Sequence, residues 1–425
     1  MTSRRPIISV KRAGFISTRI AGTDGVTLEI KKWDHVLERN GITCFYFAGK
    51  LDCAQDRSFL VPQAYFDHPD IKEINAGVFG VRTRRPEISA KIFQIKELLK
   101  AALYKFQKKF SLELIIPENA LAIPMNIPLG MAITEFIAET GIATIAHHHD
   151  FSWERERFLV NACRDYLNMA FPPGLPPVAH VVINSLASEQ LSFRRGLSNS
   201  VIPNVLDFSV EPPPPDDYCR DLRKKVGLET EDLFILQPTR VVPRKWIERS
   251  IELVRQLDLR RPRLIISHAG EDEGTDYSQR LNEYACRMGV EIVPIDRWIA
   301  SERAIDAHGE KLYSIPDVYR CSDLVTYPSG YEGFGNAFLE AVYFKKPIVV
   351  NRYSTYVADI EPKGFRVVVI DNAVSSRTIK QIREVLADPS RLKDMVETNY
   401  RLGNQYFSYE VLEEKLLHLI GKLSS

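Results

Sequence analysis

The stretch Tyr327-Pro-Ser-Gly-Tyr-Glu-Gly-Phe-Gly-Asn-Ala-Phe-Leu-Glu-Ala-Val342 reads as a strand ending at Tyr327, a glycine-rich turn, and a helix beginning near Asn336. Glycines in such a turn let the backbone approach a ligand closely, and the first N–H groups of the helix point towards it. Glu332 lies in the turn and Glu340 about one helical turn past the helix start. At that spacing the two can reach opposite ends of one bound molecule. A carboxylate accepts hydrogen bonds from two hydroxyls, which suits a sugar or a ribose.

The same strand–helix alternation runs outward in both directions. On the N-terminal side, Ile7–Val10, Thr43–Ala48, Leu112–Ile116, Ala143–Ala146 and Val178–Ile183 read as buried strands. Lys91–Phe110 and Trp153–Asn168 carry apolar residues at helical spacing. Further on, the strand runs are Leu233–Gln237, Arg263–His268, Glu291–Ile295, Leu324–Tyr327, Pro347–Val350 and Arg366–Ile370. This pattern predicts an α/β chain of parallel sheets with crossover helices. Glu211-Pro-Pro-Pro-Pro-Asp-Asp217 cannot enter a helix or central strand and reads as a semi-rigid connector. The expected organisation is a first domain over 1–210, a linker at 211–217 and a second domain over 218–404. The last helix, Tyr409–Leu423 within about 405–425, is expected to pack back on the first domain. A cleft between two such lobes is the expected ligand site.

Composition narrows the class. Fifty-six Lys and Arg against 55 Asp and Glu leave a net charge of +1 over 425 residues, so bulk charge does not favour nucleic-acid binding. Cys44, Cys53, Cys163, Cys219, Cys286 and Cys321 are scattered without a CxxC pair, which reads as reduced thiols in a cytoplasmic protein. No run of about 18 apolar residues occurs and the N-terminus lacks the apolar region of a signal peptide, so neither a transmembrane segment nor export is expected.

The Tyr327–Val342 string resembles the E-x7-E signature of glycosyltransferase family 4, retaining nucleotide-sugar-dependent enzymes of GT-B fold. That fold has two Rossmann-like lobes whose parallel sheets face each other across a cleft. The resemblance implies that Glu332 holds donor-sugar hydroxyls, that Glu340 holds the donor ribose, and that Gly333, Phe334, Gly335 and Asn336 form an amide loop on the sugar. Leu236-Gln-Pro-Thr-Arg-Val-Val-Pro-Arg-Lys245 resembles the family's R-x4-K motif, which assigns Arg240 and Lys245 to the donor diphosphate. Arg240 leaves a strand end and Lys245 is expected in the next helix's first turn. Two cations there can neutralise the leaving diphosphate without a metal. Trp246 stands where the family usually has glycine.

In the first domain, Gly22 and Gly25 allow a tight loop resembling the family's first-strand loop. Thr23 and Asp24 are candidate acceptor contacts, and Arg12 or Arg19 can add to that surface. The run Ala146-His-His-His-Asp-Phe-Ser-Trp153 follows a strand end. Adjacent histidines point in different directions, which argues against convergence on a metal ion. The family places a donor-contacting histidine here, matched by His148 or His149, with Asp150 as an acceptor contact or histidine partner. Asn204 matches a structural asparagine before the linker, and Tyr313 falls where the family holds the nucleobase. Glu271-Asp272-Glu273 reads as a solvated acidic loop rather than a metal-binding DxD pair.

These resemblances imply a retaining hexosyltransferase using a nucleotide-diphosphate sugar as co-substrate, with no metal cofactor. "AGTDGV" with "HHHDFSWER" is similar to the mannosylglucosylglycerate synthase branch, implying GDP-mannose as donor and a small polar compatible-solute acceptor; UDP-glucose with another small polar acceptor is the other reading. The alternatives are a membrane-lipid acceptor, a nucleotide-sugar 2-epimerase or a similar GT-B enzyme. Lys96, Lys100, Lys105, Lys108 and Lys109, among Leu98, Leu99, Leu103, Phe106 and Phe110, make a basic amphipathic helix that can lie on an anionic membrane. A solvated domain-surface helix is the expected reading.

Overall fold

The structure, a computed structural model, describes residues 10–229, 231–259, 261–270 and 275–423. Strands β1 (Arg12–Ile16), β2 (Thr43–Ala48), β3 (Ser58–Leu60), β4 (Leu114–Pro117), β5 (Ala143–His148), β6 (Val178–Val182) and β7 (Asn199–Val201) form one sheet. Its order is β3-β2-β1-β4-β5-β6-β7. The second sheet runs β10-β9-β8-β13-β14-β15. It is built from β8 (Phe234–Gln237), β9 (Arg263–Ile266), β10 (Ile292–Pro294), β13 (Leu324–Tyr327), β14 (Ile348–Asn351) and β15 (Val368–Ile370). All pairings in both sheets are parallel. β11 (Ala304–Ile305) and β12 (Lys311–Leu312) make a small antiparallel pair.

Each sheet is Rossmann-like, and together they are the two α/β domains of a GT-B chain. In each, strand order reverses beside the first strand, between β1 and β4 and between β8 and β13. Ligands of open α/β sheets bind beyond the strand ends at that switch point. The chain divides into two compact units, 1–204 with 409–425, and 205–408. The proline run lies within the second unit, where Lys345 Nζ is 3.2 Å from Glu211 and Leu206 N–H donates to Phe407 O at 2.9 Å. Helix Tyr409–Leu423 belongs to the first unit, with Lys415 Nζ 2.8 Å from Val201 O.

Two sequence expectations need correction. Ile7–Ser9 lie outside the described residues, and the first described strand is Arg12–Ile16, beyond the Ile7–Val10 run read as the strand. Arg12 and Gly14 break its apolar run. Gly14 is there because a Cβ would come within 2.6 Å of Leu112 and 2.8 Å of Phe106. Trp153–Asn168 is not one helix but a 3-10 turn at Ser152–Glu154 and short helices Glu156–Leu159 and Arg164–Ala170. The break occurs where backbone pairs sideways, Gly80 N to Val160 O and Ala162 N to Val78 O, both 2.8 Å.

The basic helix, Pro86–Phe110, lies on the domain surface as expected, with most of its apolar face in the core and Phe93 and Leu98 exposed. Leu99, Leu103, Phe106 and Phe110 are buried in the core of the first unit. Lys96 is itself buried, with Nζ 2.8 Å from both Glu135 oxygens, and Lys100 lies 2.9 Å from Glu135 and from Glu139. Both glutamates belong to helix Ile127–Thr140. Among the described residues no helix is long and apolar enough to cross a membrane.

Candidate active site

In the second unit, a buried polar knot fixes the ends of β8 and β13 against each other. Gln237 Oε1 accepts from Ser250 Oγ at 2.8 Å and Thr326 Oγ1 at 2.9 Å, while its Nε2 donates to Thr239 at 2.8 Å. The loops that follow are joined directly, Gly330 N donating to Arg244 O at 2.9 Å. Lys245 closes a 3-10 turn, Pro243–Lys245, so it precedes helix Ile247–Leu257 rather than sitting in its first turn. Trp246 then takes a left-handed backbone, φ 47°, and its indole covers Gly330, where a Cβ would come within 2.4 Å of the ring. A left-handed backbone favours glycine; here the packing of the Trp246 ring offsets the strain.

This arrangement brings Lys245 onto Glu332. The ammonium contacts Oε1, and Arg244 NH1 lies 3.1 Å from Oε2. Glu332 is 7% exposed and Lys245 8%. Burial opposes both charges and pushes Lys245 below an ordinary lysine. Burial also works to raise Glu332, but Lys245 and Arg244 outweigh it and hold the carboxyl below its usual range. Arg240 is exposed at the end of β8. Arg240 and Lys245 both depress His268, after burial, which places the three in one cationic neighbourhood.

The loop 332–336 is held from below. Thr355 Oγ1 donates to Glu332 O at 3.0 Å, and Tyr353 Oη to Phe334 O at 2.9 Å. Phe334 is buried, Gly333 and Asn336 are half-buried, and helix Asn336–Tyr343 starts where expected. Gly335 has φ 125°, and a Cβ there would meet Tyr353 Oη at 2.4 Å. Gly335→Ala should therefore lower the melting temperature by several degrees and weaken nucleotide binding more than Gly22→Ala. Gly22 also has positive φ but nothing within 4 Å. Equal thermal and binding effects for the two variants would contradict this. Glu340 accepts from Tyr319 Oη at 2.8 Å. Tyr313 departs from expectation: its ring is buried and its hydroxyl lies 3.0 Å from Asp221, leaving no face for a base to stack on.

In the first unit, Asp24 caps helix Gly25–Arg39, accepting from Val26 N and Thr27 N at 3.2 and 3.3 Å and from Thr27 Oγ1 at 2.7 Å. Arg19 lies 3.2 Å from it, and Gly22 N donates to Asp52 at 2.7 Å. Thr23 and Gly25 are exposed; Arg12 turns away to Phe110 O. Asn204 is buried.

The histidine run follows strand alternation. His148 points to one side, Nε2 2.9 Å from His180 Nδ1, and burial pushes it far below an ordinary histidine. His147 and His149 point to the other side, and both reach Glu118 Oε1 at the end of β4, His147 Nδ1 at 2.9 Å. The expectation that these histidines cannot converge is thus corrected, because residues two apart in a strand share a face. Glu118, His147 and His149 have the reach to hold a metal ion. Asp150 is held by Asn119 at 3.1 Å and Arg155 Nε at 2.7 Å. Glu271–Glu273 lie outside the described residues.

Sequence reading missed Arg244, His268 and Glu118. Glu118 and His268 stand just past strand ends and Arg244 in the 3-10 turn beside Lys245.

Residues 302–402 match the family described as Glycosyl transferases group 1. The chain is 32% identical to the mannosylglucosylglycerate synthase of Petrotoga mobilis, over 93% of this chain and 97% of that one. It is 30% identical to the enzyme of that name from Thermotoga maritima, over 92% and 96%. A glycosyltransferase from Rickettsia africae superposes with a TM-score of 0.69 at 13% identity, covering 98% of this chain and 99% of that one. An Anabaena protein solved with UDP and glucose gives 0.62 at 14% identity, over 97% and 100%. The chain belongs to the group 1 glycosyltransferases.

Proposed function

We propose that the protein is a retaining hexosyltransferase that moves a hexose from GDP-mannose or UDP-glucose to a small polar acceptor of the glycosylglycerate type. The observation that carries this reading is the Lys245–Glu332–Arg244 cluster at the switch point of the second sheet. It sets two cations beside a carboxylate that is also flanked by a glycine loop. Cations there take the leaving diphosphate, and the carboxylate takes sugar hydroxyls. Arg240 adds charge for the phosphates, and Glu340 with Tyr319 takes the ribose. Relatives about 30% identical along nearly the whole chain support the glycerate-type acceptor. In the first unit, the loop Gly22–Gly25 and Asp150 are the acceptor contacts, and His149 is the histidine that touches substrate. His148 is turned into the interior against His180. The lipid-acceptor alternative is disfavoured, because most of the apolar face of Pro86–Phe110 is core.

Incubating the protein with each donor and with glucosylglycerate, in comparison with phosphorylated and lipid acceptors, tests the reading. Transfer to the unphosphorylated glycerate glycoside is expected, at an unchanged rate in excess chelator, because the cations come from the chain. Turnover only with a lipid acceptor would overturn the acceptor class. Loss in chelator, restored by magnesium or manganese, would overturn the metal-free reading.

A further inference from the structure

Three segments leave the strands at the switch point of the first sheet: 17–24 after β1, 118–126 after β4 and 149–157 after β5. Together they carry three arginines and no lysine. Arg19 lies 3.2 Å from Asp24, and Arg155 Nε donates to Asp150 at 2.7 Å. Arg157 differs. It is exposed, and among the described residues its guanidinium rests on the Met125 sulfur and lies 4.5 Å from the centre of the Phe158 ring, with no carboxylate at ion-pair distance. A thioether is a weak acceptor, and a ring face attracts the cation without accepting its in-plane N–H groups.

The neighbourhood is short of negative charge. Asp150 is engaged through both oxygens, Oδ1 by Asn119 at 3.1 Å and Oδ2 by Arg155. Partial burial, and then the charge of Arg155, work against the charge on Arg157, and Asp150 does not make up the difference. An arginine keeps its proton under such conditions, so the balance falls to an anion from outside the chain. The frame around the guanidinium is fixed. Asn119 N–H donates to His147 O at 2.8 Å and its Oδ1 accepts from His149 N–H at 3.1 Å, which ties the loop after β4 to the end of β5. Met125 O accepts from Asn75 Nδ2 at 3.0 Å, so helix Pro69–Val78 holds the residue on which Arg157 rests.

We propose that Arg157 is the specificity-determining residue that binds the carboxylate of the acceptor, with Asp150 beside it accepting from a hydroxyl of the same molecule. The identity of the anion rests on the glycerate-type acceptor read above; the unmatched guanidinium does not. Glycerate is the part of such an acceptor that is charged at neutral pH, and a planar guanidinium matches the two oxygens of a carboxylate. The place also fits, since ligands of open α/β sheets lie beyond the strand ends at the switch point.

The test compares three acceptors with the full chain: glucosylglycerate, glucosylglycerol, in which a CH2OH group replaces the carboxylate, and glucosyl-3-phosphoglycerate, which adds a phosphate. In Arg157→Ala the KM for glucosylglycerate should rise about 10–100-fold, as expected for loss of one charge-assisted contact, with little change in kcat. The KM for glucosylglycerol should stay at its wild-type value. Arg157→Lys keeps the charge without the fork and should recover part of the loss. Donor hydrolysis without acceptor, and the melting temperature, should match the wild type.

An unchanged KM for glucosylglycerate, or an equal rise for glucosylglycerol, would overturn the proposal. A loss confined to the phosphorylated acceptor would also overturn it, because the anion held would then be a phosphate. Calorimetric titration of glucosylglycerate and glucosylglycerol, with GDP or UDP present, supplies a readout that needs no turnover. The wild type should prefer the carboxylate and Arg157→Ala should not; a wild type without that preference overturns the proposal. Failure of the transferase reading has a different signature: the preference in binding is present and lost in the variant, yet neither donor is turned over.

Discussion

Lys245→Ala is expected to reduce turnover by about 10²–10³-fold, on the order of 3–4 kcal/mol of transition-state stabilisation. Lys245 is buried, sits on the Glu332 carboxylate, and lies 5.5 Å from the centre of the Tyr327 ring. The same substitution should also destabilise the second unit. It leaves Glu332 buried with Arg244 as its cationic partner at 3.1 Å, and breaking a buried pair from one side costs about 3–5 kcal/mol. The two losses can be separated. Lys245→Ala combined with Glu332→Gln removes the orphaned charge, so melting temperature should largely recover while activity does not. Arg244→Ala should do less than Lys245→Ala on both counts, because its guanidinium is more exposed at 28%. Nucleoside-diphosphate affinity measured by calorimetry should fall in Lys245→Ala and in Arg240→Ala. Wild-type affinity in both variants would remove the diphosphate from this cluster.

Local features of the site were readable in the chain because they are short-range. The strand end at Tyr327, the glycine turn and the helix start at Asn336 all follow from residues within one turn of one another. Helix Tyr409–Leu423 was readable for the same reason, from a single amphipathic period. The Lys245–Glu332 contact was not, since it joins residues 87 apart in sequence. It exists because β8 and β13 are neighbours, and apolar runs report strands without reporting their order. Glu118 was invisible on the same grounds, lying beyond β4 and meeting histidines that end β5. The histidine run was misjudged by treating neighbours in sequence as neighbours in direction. Within a strand the partners are i and i+2, which puts His147 with His149 and leaves His148 to His180. Tyr313 failed for another reason: position along the chain does not reveal that Asp221 and flanking lysines enclose its ring.

Glu332→Gln is expected to lower turnover by about 10²-fold while leaving the stereochemical outcome unchanged, with the product keeping the donor's anomeric configuration. The argument begins with the state of the carboxylate. A general base works best with a pKa near the operating pH. Glu332 is held on the other side of its normal range by Lys245 and Arg244, which makes it a poor proton acceptor at neutral pH. The same two contacts weaken it as a nucleophile, because its charge is already neutralised from both oxygens. What remains is hydrogen-bond acceptance from sugar hydroxyls, a role in which glutamine keeps the shape and one acceptor oxygen but loses the charge. An inverting enzyme would need a base aimed at the acceptor oxygen, and Glu332 does not meet that description. Proton NMR of the freshly formed glycoside decides the stereochemistry, and an inverted product from an α-linked donor would rule out retention. Azide supplies the second arm. If Glu332 were the nucleophile of a covalent intermediate, azide would rescue a truncated Glu332→Ala variant and yield a glycosyl azide of inverted configuration. A purely anchoring carboxylate predicts no such product, so its appearance would reassign Glu332 from holding the sugar to attacking it.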